Sequence, residues 1–272
     1  MSSFTIQAGG SRTQYWRDLW RYRELFYFLA WRDLLVRYKQ TVVGVAWSLI
    51  RPILTMSVLT FVFGKLGRMP DGGVPYPILV FAGMLPWQFF SSAMSESGNS
   101  LVSNSNLISK VYFPRLIVPV SSVIISLIDS LISGVFMIGL MIWYQFIPSP
   151  SILVLPFYFF LAFTASLGIG LWVAALMVEY RDFRFIVPFV VQFGLYLSPV
   201  GFVSSVVPEQ WRLLYSLNPM VAVIDGFRWC LLGGSHGIYI PGLLISMIVI
   251  TVMLGSGVWY FRRTERTFAD VI

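Results

Sequence analysis

The sequence predicts an all-α membrane protein with six transmembrane helices per subunit. It also predicts an interfacial N-terminal helix, a short cytoplasmic helix after the second span and a re-entrant hairpin before the last. Three observations predict this fold. Apolar residues make up 57% of the 272 and charged residues only 11%, and the mean hydropathy of +0.76 suits lipid rather than water. Apolar runs of about 20 residues or more recur along the chain, each long enough to cross a hydrocarbon layer about 30 Å thick. Basic residues segregate to one side of the resulting topology.

Residues 1–41 form a cytoplasmic tail and an amphipathic helix. In "QYWRDLWRYRELFYFLAWRDLLVRYKQ" (14–40), Trp16, Trp20, Tyr27, Trp31, Leu34 and Tyr38 fall on one side of a helical period. Arg17, Asp18, Arg21, Glu24, Arg32 and Asp33 fall on the other, which suits a helix lying at headgroup depth. The segment serves as an anchor and, in a sharper reading, also frames the cytoplasmic mouth of a pathway. This arginine-studded opening has no short apolar core followed by a small-residue cleavage site, so no signal peptide is expected.

A transmembrane domain follows over 42–261, with spans at 42–63, 76–95, 116–144, 152–178, 185–203 and 238–261. Between the second and third lies "SGNSLVSNSNLISKVYFPRLIVP" (97–119), whose Ser and Asn residues resist burial in lipid. Leu101, Leu107, Ile108, Val111 and Tyr112 supply its apolar residues, so a surface helix over about 98–112 is expected, stopped by Phe113-Pro114-Arg115. The stretch 204–234 is too interrupted for a span. Asn218-Pro219 breaks it, Gly233-Gly234 ends it, and Asp225 and Arg228 sit at i,i+3 spacing. A hairpin that dips and returns satisfies its polar groups, with Asp225 and Arg228 as an exposed pair or as part of a gate.

A basic tail over 262–272 closes the chain. With both termini inside, all 19 Lys and Arg residues except Lys65, Arg68, Arg212 and Arg228 fall on the cytoplasmic side. A seventh span would throw the tail across the membrane. The net charge of +7 therefore reports topology and contact with anionic lipid rather than nucleic-acid binding.

Chemistry-bearing residues are sparse. One cysteine, Cys230, and one histidine, His236, argue against a metal centre or a catalytic triad, and no site for a metal is expected. No G-x-x-x-x-G-K-[ST] phosphate loop is present, so any energy from nucleotide must come from elsewhere. Asp129, within the third span, is read either as a hydrogen-bonding residue between helices or as a substrate or ion site. Phe185, Phe189, Phe193 and Tyr196 recur at spacings of four, four and three along the fifth span. That face is either the lining of a pathway or a lipid-facing or packing stripe. Tyr38 and Trp47 are further pathway candidates. Gly168 and Gly170 are read as close-packing positions. Glu179, Arg181, Asp182 and Arg184 form a turn that is either solvated or in contact with a partner.

Four blocks resemble the ABC-2 type permeases of bacterial polysaccharide exporters, notably those for O-antigen and other lipid-linked polysaccharides. They are "WRDLLVRYKQTVVGVAWSLIRP" (31–52), "VPYPILVFAGMLPWQFFSSAMSESGNSLVSNSNLISKVYFPRLIVP" (74–119), "EYRDFRFIVPF" (179–189) and "SLNPMVAVIDGFRW" (216–229). The resemblance implies the ABC-2, or type V exporter, fold and a homodimer in the bacterial inner membrane. It further implies two copies of a separate ABC ATPase that binds ATP and Mg, with no cofactor and no catalytic residue in this chain. It makes the helix at 98–112 the coupling helix and 204–234 the periplasmic gate hairpin. The implied cargo is a lipid-linked polysaccharide such as O-antigen, with capsule or teichoic acid as alternatives. Two other classes compete. A glycan-processing enzyme would want clustered carboxylates in a cleft, whereas the 12 acidic residues are mostly scattered on loops. A secondary transporter would often carry inverted repeats with matching broken helices, a symmetry the chain does not display.

Overall fold

The computed structural model describes residues 12–39, 42–233, 237–265 and 267–268, with side chains described from residue 15 onward except for 42–48. His236 lies outside the described residues. Two helices, α1 (Arg12–Arg21) and α2 (Arg23–Lys39), precede the bundle. Helix α3 (Val42–Leu59) widens into a π-helical end at Thr60–Leu66, and α4 runs from Tyr76 to Ser103. A short α5 (Ser105–Lys110) leads to α6 (Ile117–Trp143), and a 3₁₀ turn at Pro150–Val154 opens α7 (Leu155–Glu179). Then come α8 (Phe183–Leu197), α9 (Glu209–Tyr215), α10 (Pro219–Leu232) and α11 (Ile240–Thr264).

Five helices among the described residues are long and apolar enough to cross a membrane: Leu49–Leu66, Tyr76–Ser103, Ile117–Trp143, Pro150–Glu179 and Ile240–Thr264. The chain is a multi-pass membrane protein. Helix α8 is apolar but has 15 residues, about 22 Å at 1.5 Å per residue, which falls short of the hydrocarbon thickness. The fifth span expected at 185–203 therefore ends as a helix at Leu197. Ser198 is extended (ψ 152°) because it precedes Pro199, whose ring disfavours a helical conformation in the residue before it.

Helix α4 is the axis of the bundle. Of its apolar window 78% is buried, against 17% for the window at Leu49–Leu66, and α6, α7 and α10 pack around it while α11 packs on α7. Glycines set the closest approach. A Cβ on Gly168 would lie 2.8 Å from the Leu254 backbone nitrogen and one on Gly257 2.3 Å from the Gly168 carbonyl oxygen, so α7 and α11 touch backbone to backbone. Gly170 likewise leaves room for the Ser97 side chain of α4. Trp172 and Tyr260 stack across the α7–α11 seam at 4.2 Å.

A second apolar cluster joins the two ends of the chain to the region between α4 and α6. Leu29, Leu101, Ile108, Phe113, Leu116, Phe261 and Phe268 meet there, with Tyr15, Leu19 and Tyr22 packed against them. The helix expected as one piece over 14–40 is broken by a turn at Tyr22. Of the aromatic side read from the period, Trp16, Trp20, Tyr27 and Trp31 are exposed, whereas Leu34 and Tyr38 are half-buried, because the end of α2 packs on α6, where Tyr38 meets Asp129.

Candidate functional site

The elbow between α4 and α6 comes first. Helix α4 continues eight residues beyond the span end expected at 95, and α5 is only a six-residue turn after Asn104. Leu101 and Ile108 are 0% and 4% exposed and belong to the second cluster. That corrects their reading as residues offered to a partner. The apolar period found the right face, but that face is taken up by Leu29, Phe113 and Phe261 of the same chain. Leu107 is half-buried against the same cluster, whereas Val111 and Tyr112 stand 50% and 75% exposed beside exposed Lys110. An aromatic ring and a branched aliphatic side chain presented beside a cation make a surface suited to docking.

The elbow is tied to the C-terminal end of α11. The Arg115 backbone N–H donates to Glu265 Oε1 at 2.8 Å, and the Tyr15 hydroxyl donates to Oε2 at 2.9 Å. The Arg115 guanidinium also donates to the Glu265 carbonyl oxygen, and Arg262 lies 4.4 Å over the Tyr15 ring. Burial pushes the Glu265 carboxyl above its ordinary range, against the opposing pull of its hydrogen bonds from Arg115 and Tyr15 and the charge of Arg115. Burial and the Glu265 charge together raise the Tyr15 hydroxyl. Sequence reading missed this node because Tyr15 and Glu265 are 250 residues apart.

A second polar cluster joins α2 to α4 and α6. Arg37 reaches Glu96 of α4 at 2.8 Å and Asp129 of α6 at 2.7 Å. Tyr38 donates to the other oxygen of Asp129, and Arg32 donates to Asn104 at 2.7 Å. Asp129 is thus a hydrogen-bonded interhelical residue, the first of the two readings given it. Its one sequence signal was a lone carboxylate in an apolar helix, which demands a partner somewhere.

The aromatic stripe of α8 lies as its spacing predicted. Phe185, Phe189, Phe193 and Tyr196 are all more than half exposed on this subunit, and Phe189 and Phe193 stack at 5.9 Å with planes 16° apart. Tyr38 sits apart from them, on Asp129. Trp47 falls on α3, but its side chain lies outside the described residues.

The segment 204–234 folds as α9 and α10. Asn218 caps α10 by accepting from the Met220 N–H at 3.0 Å, and Pro219 occupies its first turn. Gly233, at φ 86°, ends it in a conformation that favours glycine. Arg228 is 1% exposed, so its reading as half of an exposed pair is corrected. Its guanidinium donates to the carbonyl oxygens of Leu79 (3.2 Å), Phe202 (2.6 Å) and Val200 (2.7 Å). Asp225, beside the Ser204 hydroxyl, lies within electrostatic reach. Arg228 therefore satisfies the irregular backbone that follows the short α8 and holds it to the start of α4, as buried backbone outside a helix requires.

The chain's likenesses agree with this architecture. The family described as ABC-2 type transporter matches residues 24–232, more than half of the chain. An O-antigen export system permease protein RfbA of Klebsiella pneumoniae is 28% identical over 244 residues, 89% of this chain and 92% of that protein. The protein of the same name from Myxococcus xanthus is 28% identical over 262 residues, 94% of this chain and 98% of its own. A polysialic acid transport protein KpsM of Escherichia coli is 22% identical over 240 residues, covering 85% and 90%.

Proposed function

Since the chain belongs to the ABC-2 type transporter family, we propose that it is the membrane subunit of an ATP-driven exporter of a lipid-linked polysaccharide resembling O-antigen. Two copies form a conduit across the bacterial inner membrane, each with six spans, α8 serving as the fifth, and both termini in the cytoplasm. Two copies of a separate ABC ATPase bind ATP and Mg and supply the work. This chain performs no catalysis. The observation that carries the proposal is the near full-length likeness to relatives named as O-antigen export permeases. The likeness to a polysialic acid transport protein favours a capsule-type glycan as the second reading.

In this reading the ATPase docks on the elbow through Val111, Tyr112 and Lys110, while the buried Leu101 and Ile108 make the elbow stiff enough to transmit force. The α9–α10 hairpin is the outer gate. The exposed face of α8 lines the conduit, where many weak stacking contacts allow a glycan to slide without being trapped. Because Phe189 and Phe193 are 67% and 61% exposed, replacing both with Ala costs the subunit little packing. Export by the Phe189→Ala/Phe193→Ala variant is expected to fall roughly tenfold, equivalent to about 1.4 kcal/mol of lost contact with the moving sugar, while co-purification with the ATPase stays unchanged. The assay is appearance of the glycan on intact cells at matched membrane levels. Normal export would remove α8 from the pathway.

A further inference from the structure

Arg37 joins α2 to two different helices of the bundle. One of its terminal nitrogens meets Glu96 of α4 and the other meets Asp129 of α6, whose second oxygen receives Tyr38. Asp129 lies twelve residues into α6, from 117 to 129, about 18 Å along its axis. Arg32 meets Asn104 while Arg37 meets Glu96, so α2 runs antiparallel to α4 and climbs from the elbow into the bundle instead of lying flat across its base. Of the five long apolar windows, the one on the helix that follows α2 is the least buried, at 17% over Leu49–Leu66. Helix α2 also packs against α3. Meanwhile α4 carries Glu96, and Asn104 at its C-terminal cap leads directly into the elbow at Ser105.

We propose that Arg37, bridging Glu96 and Asp129 between α4 and α6, is a positioning residue that carries displacement of the elbow through α2 to α3 and so to the conduit. The inference rests on the exporter reading and on the elbow as the point where work enters. The exposure of the pair separates this role from a merely structural one. The side chains of Arg37 and Glu96 are 37% and 39% exposed, so that arm of the bridge adds little to stability, while Asp129, 18% exposed, keeps the Tyr38 hydroxyl as its donor when Arg37 is lost. Guanidinium geometry matters here, since two nitrogens on one plane hold two carboxylates at once, whereas a lysine ammonium is a single point of charge.

The test uses the full permease–ATPase complex. Arg37→Gln is expected to lower surface display of the cell's own glycan at least tenfold, scored by antibody or lectin on intact cells. ATP hydrolysis by the purified complex in phosphatidylethanolamine–phosphatidylglycerol vesicles should stay within twofold of wild type, and the melting temperature should be unchanged. Arg37→Lys should recover part of the display. Unaltered display in Arg37→Gln would overturn the proposal. So would a parallel loss of display, hydrolysis and thermal stability, which would make Arg37 a packing residue only. If the wild-type complex hydrolyses no ATP and displays no glycan, it is the exporter reading that fails, a result distinct from either of these.

Discussion

Arg228→Leu is expected to destabilise the protein more than any other single substitution considered. The guanidinium is buried and donates to the carbonyl oxygens of Leu79, Val200 and Phe202. Leucine fills much of the volume but donates nothing. The Val200 and Phe202 carbonyls, which lie outside any helix, then lose their donor, at about 1–3 kcal/mol for each group left unsatisfied, the Leu79 carbonyl loses its second donor, and Asp225 loses the cation that acts on it most strongly. Allowing for partial relaxation, the loss is on the order of 3–5 kcal/mol, as for a broken buried ion pair. Thermal melting of the purified protein and its level in the membrane both report it. Arg228→Lys keeps the charge with a less suitable geometry, so its melting temperature should fall between the two. A leucine variant that melts with wild type would show that the loop after α8 is satisfied by other donors.

Charging the elbow should have the second largest effect, on assembly rather than folding. Val111 and Tyr112 are the exposed apolar side chains there. In the exporter reading they are buried only when the ATPase docks. Tyrosine is over-represented among residues that dominate interfaces, and removal of such an anchor costs about 2 kcal/mol or more, roughly a thirtyfold loss of affinity. Tyr112→Glu and Val111→Glu together should therefore abolish co-purification of the ATPase and export alike. The melting temperature of the permease itself should not change. Leu101→Glu gives the contrast, because a carboxylate placed in the second cluster should destabilise the permease before any partner is added. Undiminished ATPase binding by the Val111/Tyr112 variant would move the docking surface elsewhere, for example to the turn around Arg181 and Asp182.

Much of the fold is legible in the sequence because lipid makes strong demands. An apolar run of about 20 residues has few alternatives to a spanning helix, and the spans placed at 76–95, 116–144, 152–178 and 238–261 each fall on one long helix. Local chemistry was equally readable at α10, where Asn218-Pro219 and Gly233 mark the two ends of the helix. What the sequence leaves open is who sits opposite whom. The apolar period of 98–112 identifies a buried face, yet nothing in it says that Phe261 and Phe268 of the same chain cover that face. Asp225 and Arg228 read as a surface pair because i,i+3 spacing carries no information about depth. Arg37, Glu96 and Asp129 are scattered over three helices, and only the fold brings them to one point.

The central claim is that this subunit forms a passive conduit and takes its work from a separate motor. Its most direct test is transport of a labelled lipid-linked glycan in sealed vesicles containing either the permease alone or the permease with its companion ATPase. Glycan should accumulate against a gradient only with the companion, ATP and Mg present. Accumulation against a gradient by the permease alone would contradict the claim.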